Sequence, residues 1–317
     1  MPKLNIDLLN IHLILFSGVL AFICPFETFL IVYAFLGPLH YLTEINWLQQ
    51  RNYFLQDKTH VYYLFVPLFL IGSIVYIPSL AQLKPTIPFL IFFTFLVSIF
   101  NSKENIKLYK NWKFILSIGI GIVATIYFKE YFKTVFSLFL PSLIHVFIFT
   151  GIFILSGFLK TKNKWSLITL IVFLATSLFL LNFNWKIFLS EVDILSKYQS
   201  FEKLNQTLLI LLGETHTPEH IIYFSNLGTR LMQFIAFAYT YHYLNWFSKT
   251  SIIQWHKTTK VKIYAIILIW ILSVVLYIYN YKTGLYWLYL LSLTHVILEF
   301  PLNITSVKSL FKGKTYQ

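Results

Sequence analysis

Of 317 residues, 57% are apolar, 20% aromatic and only 12% charged, and the mean hydropathy is +0.70. A soluble domain carries about 25% charged residues, and the runs 64–77 and 263–278 contain no charge. The composition therefore excludes a soluble globular protein and predicts an all-α, polytopic integral membrane helix bundle. The net charge of +13 is not a nucleic-acid signature here, because excess lysine in a membrane chain marks the cytoplasmic face and its anionic lipid.

A bilayer core of about 30 Å takes about 20 apolar residues per helix. In chain order the hydrophobic runs predict ten transmembrane helices, at 9–23, 27–48, 61–80, 86–100, 114–128, 134–159, 165–181, 221–247, 263–279 and 285–302. Cys24-Pro25 divides the first two into a tight hairpin. No small-residue cleavage site follows the first run, which is expected to stay as a span. One cysteine rules out an intrachain disulfide framework and any cysteine-rich metal cluster. The connection 182–220 mixes charged and apolar residues and reads as an amphipathic interfacial stretch leading into 208–212 and Gly213. No internal repeat is visible, and a single domain over 1–317 is the economical expectation.

The charges test this count. With both termini cytoplasmic, 17 of the 25 basic residues fall on the cytoplasmic side and seven on the other, with Arg230 inside a span. Alternation holds through every loop, a strong positive-inside pattern, and Trp47, Trp112, Trp165 and Trp246 lie at cytoplasmic ends where an aromatic belt belongs. The expected location is the inner membrane of a bacterial cell.

Polar chemistry is scarce in such a chain, so its placement is informative. Of nine histidines, His12, His60 and His256 fall near span ends or in a basic loop and read as interfacial. His40, His145, His242 and His295 fall within four separate predicted spans. One such histidine is explained by a hydrogen bond to a backbone carbonyl; four point to a metal, since a bound imidazole is neutral. His40 and Glu44 are four apart, as are His295 and Glu299, so each acid shares a helix face with its histidine. Each carboxylate is placed to accept the second ring N–H or to ligate directly in a two-metal site. Glu44 and Glu299 are thus the candidate catalytic acids.

His216 and His220 form a further pair four apart, with Pro218 starting a helix near Thr217. They read either as ligands on a re-entrant segment or as an exposed loop pair. A zincin would need glutamate directly after the first histidine; Thr217 stands there, which disfavours protease chemistry.

With their flanks, these histidines resemble the Brp/Blh family of membrane-bound β-carotene 15,15′-dioxygenases. Pro38-Leu39-His40-Tyr41-Leu42-Thr43-Glu44 is similar to the family's Pro-His-x-x-x-acid element, with one extra residue after the proline and Glu for Asp. Ile144-His145 matches its mid-chain Ile-His. His242-Tyr243-Leu244-Asn245-Trp246-Phe247-Ser248-Lys249 matches its His-aromatic segment running on to a basic residue, and His295-Val296-Ile297-Leu298-Glu299 its C-terminal His-x-Ile-Leu. The resemblance implies a non-haem Fe(II) held by histidines, cleaving a polyene with O2. The family pairs two histidines on the helix of His242, whereas the position four earlier is Ala238, leaving His216 or His220 to complete the set.

Three functions follow. The first is a non-haem iron oxygenase taking O2 and a lipophilic unsaturated substrate, with Tyr33, Tyr41, Tyr239, Tyr241 and Tyr243 along the substrate path or simply packed. The second is a membrane zinc hydrolase of lipid amides or esters, using three histidines, a zinc-bound water and Glu44. The third is a transporter or lipid-binding scaffold, which the lack of repeats and paired broken helices disfavours. The topology is directly testable. Single-cysteine accessibility labelling is expected to find the termini and the loops 101–113 and 249–262 cytoplasmic; finding 160–164 on the outer side would overturn both span count and orientation.

Overall fold

The computed structural model describes residues 6–101, 108–183, 191–214 and 219–312, and all regular structure in it is helical. The helices are α1 (Ile6–Ile23), α2 (Pro25–Gln50), α3 (His60–Tyr76), α4 (Ile87–Phe100), α5 (Trp112–Tyr127) and α6 (Lys129–Lys133). A π-helical stretch, Thr134–Phe149, leads into α7 (Thr150–Thr161) and α8 (Lys164–Asn182). Shorter pieces follow, α9 (Val192–Tyr198), α10 (Lys203–Leu211) and α11 (Glu219–Phe224), and then α12 (Asn226–Ser248), α13 (Thr250–Ile253), α14 (Lys260–Tyr279) and α15 (Tyr281–Lys312).

Seven stretches are long and apolar enough to cross a membrane: α1, α2, Pro78–Phe100, Lys129–Thr161, α8, α14 and Tyr281–Phe311. The chain is on this ground an integral membrane protein. The other three expected spans exist as helices but do not meet that standard. α3 and α5 are apolar yet only 17 and 16 residues long. α12 has 23 residues but is more polar, with Gln233, Thr240, His242 and Asn245 all buried. A helix covered by protein on most sides needs no apolar sheath, so hydropathy alone undercounts it.

Local chemistry sets the helix ends. The side chains of Asn111, Asn163, Ser225 and Thr259 accept from backbone N–H groups at the starts of α5, α8, α12 and α14, satisfying donors that the first turn leaves unpaired. Lys162 adopts a left-handed conformation (φ 53°) in the turn from α7 to α8. The break at Cys24-Pro25 falls where the sequence placed it. In 191–211 the expected amphipathic stretch forms α9 and α10, tied together by Tyr198, whose hydroxyl donates to Asn205 Oδ1 at 2.6 Å.

By proximity the chain divides into two compact units, residues 1–40 with 146–257, and 41–145 with 258–317. In the first, α12 packs against α1, α8, α10 and α11, and α1 packs against α8. In the second, α15 packs against α3, α4 and α14 around a core that includes Leu48, Leu64, Ile71, Val97, Ile297 and Phe300.

Two glycines mark backbone approaches that admit no side chain. A Cβ on Gly228 would lie 2.3 Å from the carbonyl oxygens of Ile221 and Ile222, and one on Gly284 would lie 2.3 Å from Tyr277 Cα. Gly228→Ala and Gly284→Ala are each expected to destabilise by about 1–3 kcal/mol through overpacking. Gly119→Ala, where a Cβ meets nothing within 4 Å, should be neutral or slightly stabilising. Thermal unfolding in detergent, followed by circular dichroism, would check the contrast.

Candidate metal centre

Within the first unit, His40 on α2 and His242 on α12 face one another edge to face, ring centroids 4.9 Å apart. Tyr243 and Trp246 on α12 surround His40 at 5.1 and 5.5 Å. Their order on the helix explains the enclosure, since residues three and four apart share one face. The two histidines are 1% and 8% exposed.

The protonation of His242 follows from a threonine that the sequence reading did not single out. Thr150 Oγ1 donates its one proton to the carbonyl of Val146 at 2.7 Å and lies 2.9 Å from His242 Nδ1. With that proton given to Val146, the hydroxyl accepts from an Nδ1–H, an arrangement that satisfies all three groups at once. That leaves Nε2 of a neutral ring with its lone pair available, the state a metal requires.

Within the second unit, His145 on the π-helix and His295 on α15 meet with Nε2 to Nε2 at 3.1 Å. Tyr41 stacks on His295, centroids 4.2 Å apart. His145 Nδ1 lies 3.0 Å from Glu299 Oε2, an oxygen that also accepts from Asn303 Nδ2 at 3.2 Å. Glu44 and Glu299 are both buried, at 2% and 3% exposed. The i, i+4 spacing pointed each acid to the histidine on its own helix; the contact formed by Glu299 is instead with His145, on a different helix. A shared helix face allows a contact but does not compel one; the π-helical stretch carries His145 to within 3.0 Å of the acid. That helical form is frequent at functional sites.

His40, His242 and His295 each offer a ring nitrogen, and the three nitrogens all lie within 4.8 Å of one another. Two nitrogens bound about 2.1 Å from one ion stand at most about 4.2 Å apart, so small side-chain adjustments would close the group on an ion. Three neutral nitrogens in apolar surroundings suit zinc, iron, copper or nickel rather than calcium or magnesium. The residues therefore fit a metal, and its identity is open. His145 stands outside the group of three but at ligand spacing from His295.

The other expected site residues fare differently. His216 lies outside the described residues; the backbone of His220 falls in α11, but its side chain lies outside them. His12 bonds the Leu8 carbonyl at 2.8 Å, and His60 sits 3.4 Å from Asn101 Oδ1. Tyr33 and Tyr239 pack edge-on against Phe201 and Phe29 in an aromatic layer.

Replacing His40, His242 or His295 by alanine is expected to remove the metal from the purified protein while leaving it folded. Thr150→Val frees the tautomer of His242 without touching a ligand, and should weaken metal affinity about 10–100-fold. Elemental analysis and competition with a chelator, alongside helical content, would measure both effects.

Comparison with known proteins assigns no family: no protein-family model matches the chain, and neither a curated protein nor a solved structure does. A buried three-histidine group in an apolar helical chain is consistent with the Brp/Blh resemblance and does not by itself identify that family.

Proposed function

We propose that the chain is a membrane-embedded non-haem iron oxygenase acting on a lipophilic unsaturated substrate, with carotenoid cleavage to retinal as its narrow form. The observation supporting this reading is the buried trio of His40, His242 and His295. Three imidazoles leave coordination positions open, as catalytic rather than structural sites do. Ferrous iron, when bound, supplies activation of dioxygen. In the narrow form, one carbon–carbon double bond and one O2 yield two carbonyl groups, so no further reductant is needed.

The chain's own residues have separate tasks. Thr150 fixes the tautomer of His242. Tyr41 holds the plane of His295, and Glu299 orients His145. Glu44 and Glu299 place two buried carboxyl groups in the same unit as His145 and His295, and all four side chains are nearly fully buried. That burial excludes bulk water, which protects reactive species and strengthens every local electrostatic contact. The apolar and aromatic surroundings match an apolar chain as substrate.

The same donors also suit zinc, with Glu44 as the acid of a hydrolase, and metal content separates the two. Protein purified without metal supplementation is expected to hold iron, and expression in a carotene-producing host to yield retinal that His295→Ala abolishes. Intact carotene beside a loaded iron site would leave only the wider oxygenase class. Zinc in place of iron would overturn the oxygenase in favour of the hydrolase.

A further inference from the structure

A second polar feature lies within the first unit, at the end where α1 and α8 begin and α7 and α12 finish. There a cavity of about 420 Å³ is lined on its polar side by Asp7, Ser166, Asn245 and Lys249, and on its apolar side by Phe153, Ile154 and Ile252. None of these residues belongs to the candidate metal centre.

The polar wall holds one buried acceptor that no described residue meets. Asp7 Oδ2 accepts from Asn163 Nδ2 at 2.8 Å, and Asn10 Oδ1 accepts from Tyr241 and Ser248 at 3.2 and 3.1 Å. Asn245, only 7% exposed, has no partner for its Oδ1 among the described residues. Lys249, part-buried just past the end of α12, makes no ion pair among them. An amide oxygen left unmet at a cavity is costly unless something else completes it. Water can satisfy the amide, but a part-buried ammonium favours an anion.

The charges and the position narrow the ligand. Among the residues lining the cavity, Asp7 and Lys249 are the only charged ones, facing each other from α1 and α12; α7, α8 and α13 contribute none. Lys160, Lys162 and Lys164 flank the lining residue Thr161 in the turn from α7 to α8, so the surroundings are positive. The cavity sits at the ends of three candidate spans, α1, Lys129–Thr161 and α8, the depth at which lipid headgroups lie. A site with a cation at one point, and acceptors in Asn245 and Asp7 at others, is complementary to an anion that also carries hydroxyl donors.

We propose that this cavity binds an anionic phospholipid with a hydroxylated headgroup of the phosphatidylglycerol kind, Lys249 pairing with the phosphate. The headgroup hydroxyls donate to Asn245 Oδ1 and to the Asp7 carboxylate. Ser166, whose hydroxyl makes no hydrogen bond among the described residues, donates to a phosphate oxygen. The first methylenes of the acyl chain lie on Phe153, Ile154 and Ile252. Burial lowers the Lys249 ammonium from its ordinary range to about 8, against the opposing pull of Asp7. The charged lysine therefore prevails below pH 8 and is lost above it, whereas a phosphodiester keeps its charge throughout.

The test uses the full-length protein in detergent, with native mass spectrometry counting retained lipid. Phosphatidylglycerol and phosphatidylcholine of identical chains are compared, with glycerol 3-phosphate as the soluble arm. Phosphatidylglycerol is expected to be retained at least about tenfold over phosphatidylcholine at pH 6.5, with most of that preference gone at pH 9.5. Lys249→Gln should erase the preference and Lys249→Arg should keep it at both pH values, with metal content unchanged in either variant. If Lys249→Gln fails to fold, Ile154→Trp, which fills the cavity, takes its place and should reduce retention likewise. Equal retention of the two lipids, or a preference indifferent to both substitutions, overturns the site; competition by glycerol 3-phosphate at the lipid's own concentration overturns its assignment to a lipid.

Discussion

An imidazole deep in an apolar helix bundle is tolerated only when it is neutral and its N–H has an acceptor. This constraint organises the polar interior of the protein. Thr150 serves it for His242 because its hydroxyl has already given its proton to the chain. Glu299 places a carboxylate oxygen 3.0 Å from His145 Nδ1, and Asn303 Nδ2 donates to that same oxygen. The result is a set of rings held with defined orientation, which is what a metal centre asks of its ligands before any ion arrives. It also accounts for the scarcity of charge elsewhere within the spans, since each further buried polar group would need a similar set of partners.

Much of the fold was legible in the sequence because lipid enforces it. The apolar runs and the break at Cys24-Pro25 depend on local rules. The helix around His242 was reached through its apolar run 221–247, although protein covers many of its residues. Of the candidate site, the residue types were legible, and three of the histidines do come together. The pairings were not. Spacing along one helix put Glu299 beside His295, whereas the structure sets it against His145, on a different helix. Thr150 carried no recognisable signal at all. A threonine in a helix normally returns its proton to the preceding turn, and only the position of His242 turns that habit into a function.

The two polar regions of the first unit illustrate different uses of buried polarity. Around His40 and His242 the partners converge and the rings are enclosed by Tyr243 and Trp246. Around Lys249 the groups line open space, and the nearest acid is already shared with Asn163. The first arrangement suits an ion of fixed geometry. The second suits a ligand that brings hydrogen bonds of its own and leaves its apolar part in the bilayer.

α14 presents the opposite case to α12. It packs chiefly on α15, and only 6% of its apolar stretch is buried; Val261, Ile278 and Tyr279 are more than three-quarters exposed. Its ties are specific and few: the indole of Trp287 donates to Ser273 Oγ at 2.7 Å, and the backbone closes tightly at Gly284. The exposed face of α14, which includes Val261, Ile278 and Tyr279, answers to lipid, for which any apolar residue serves equally well. Such a helix is free to change its spelling through successive generations while keeping its place, so descendants of one ancestor would soon share little along it beyond Ser273 and its anchor. A membrane protein built with much of its surface on these terms loses the marks of kinship from the outside inward, and the buried histidines are where they would persist longest.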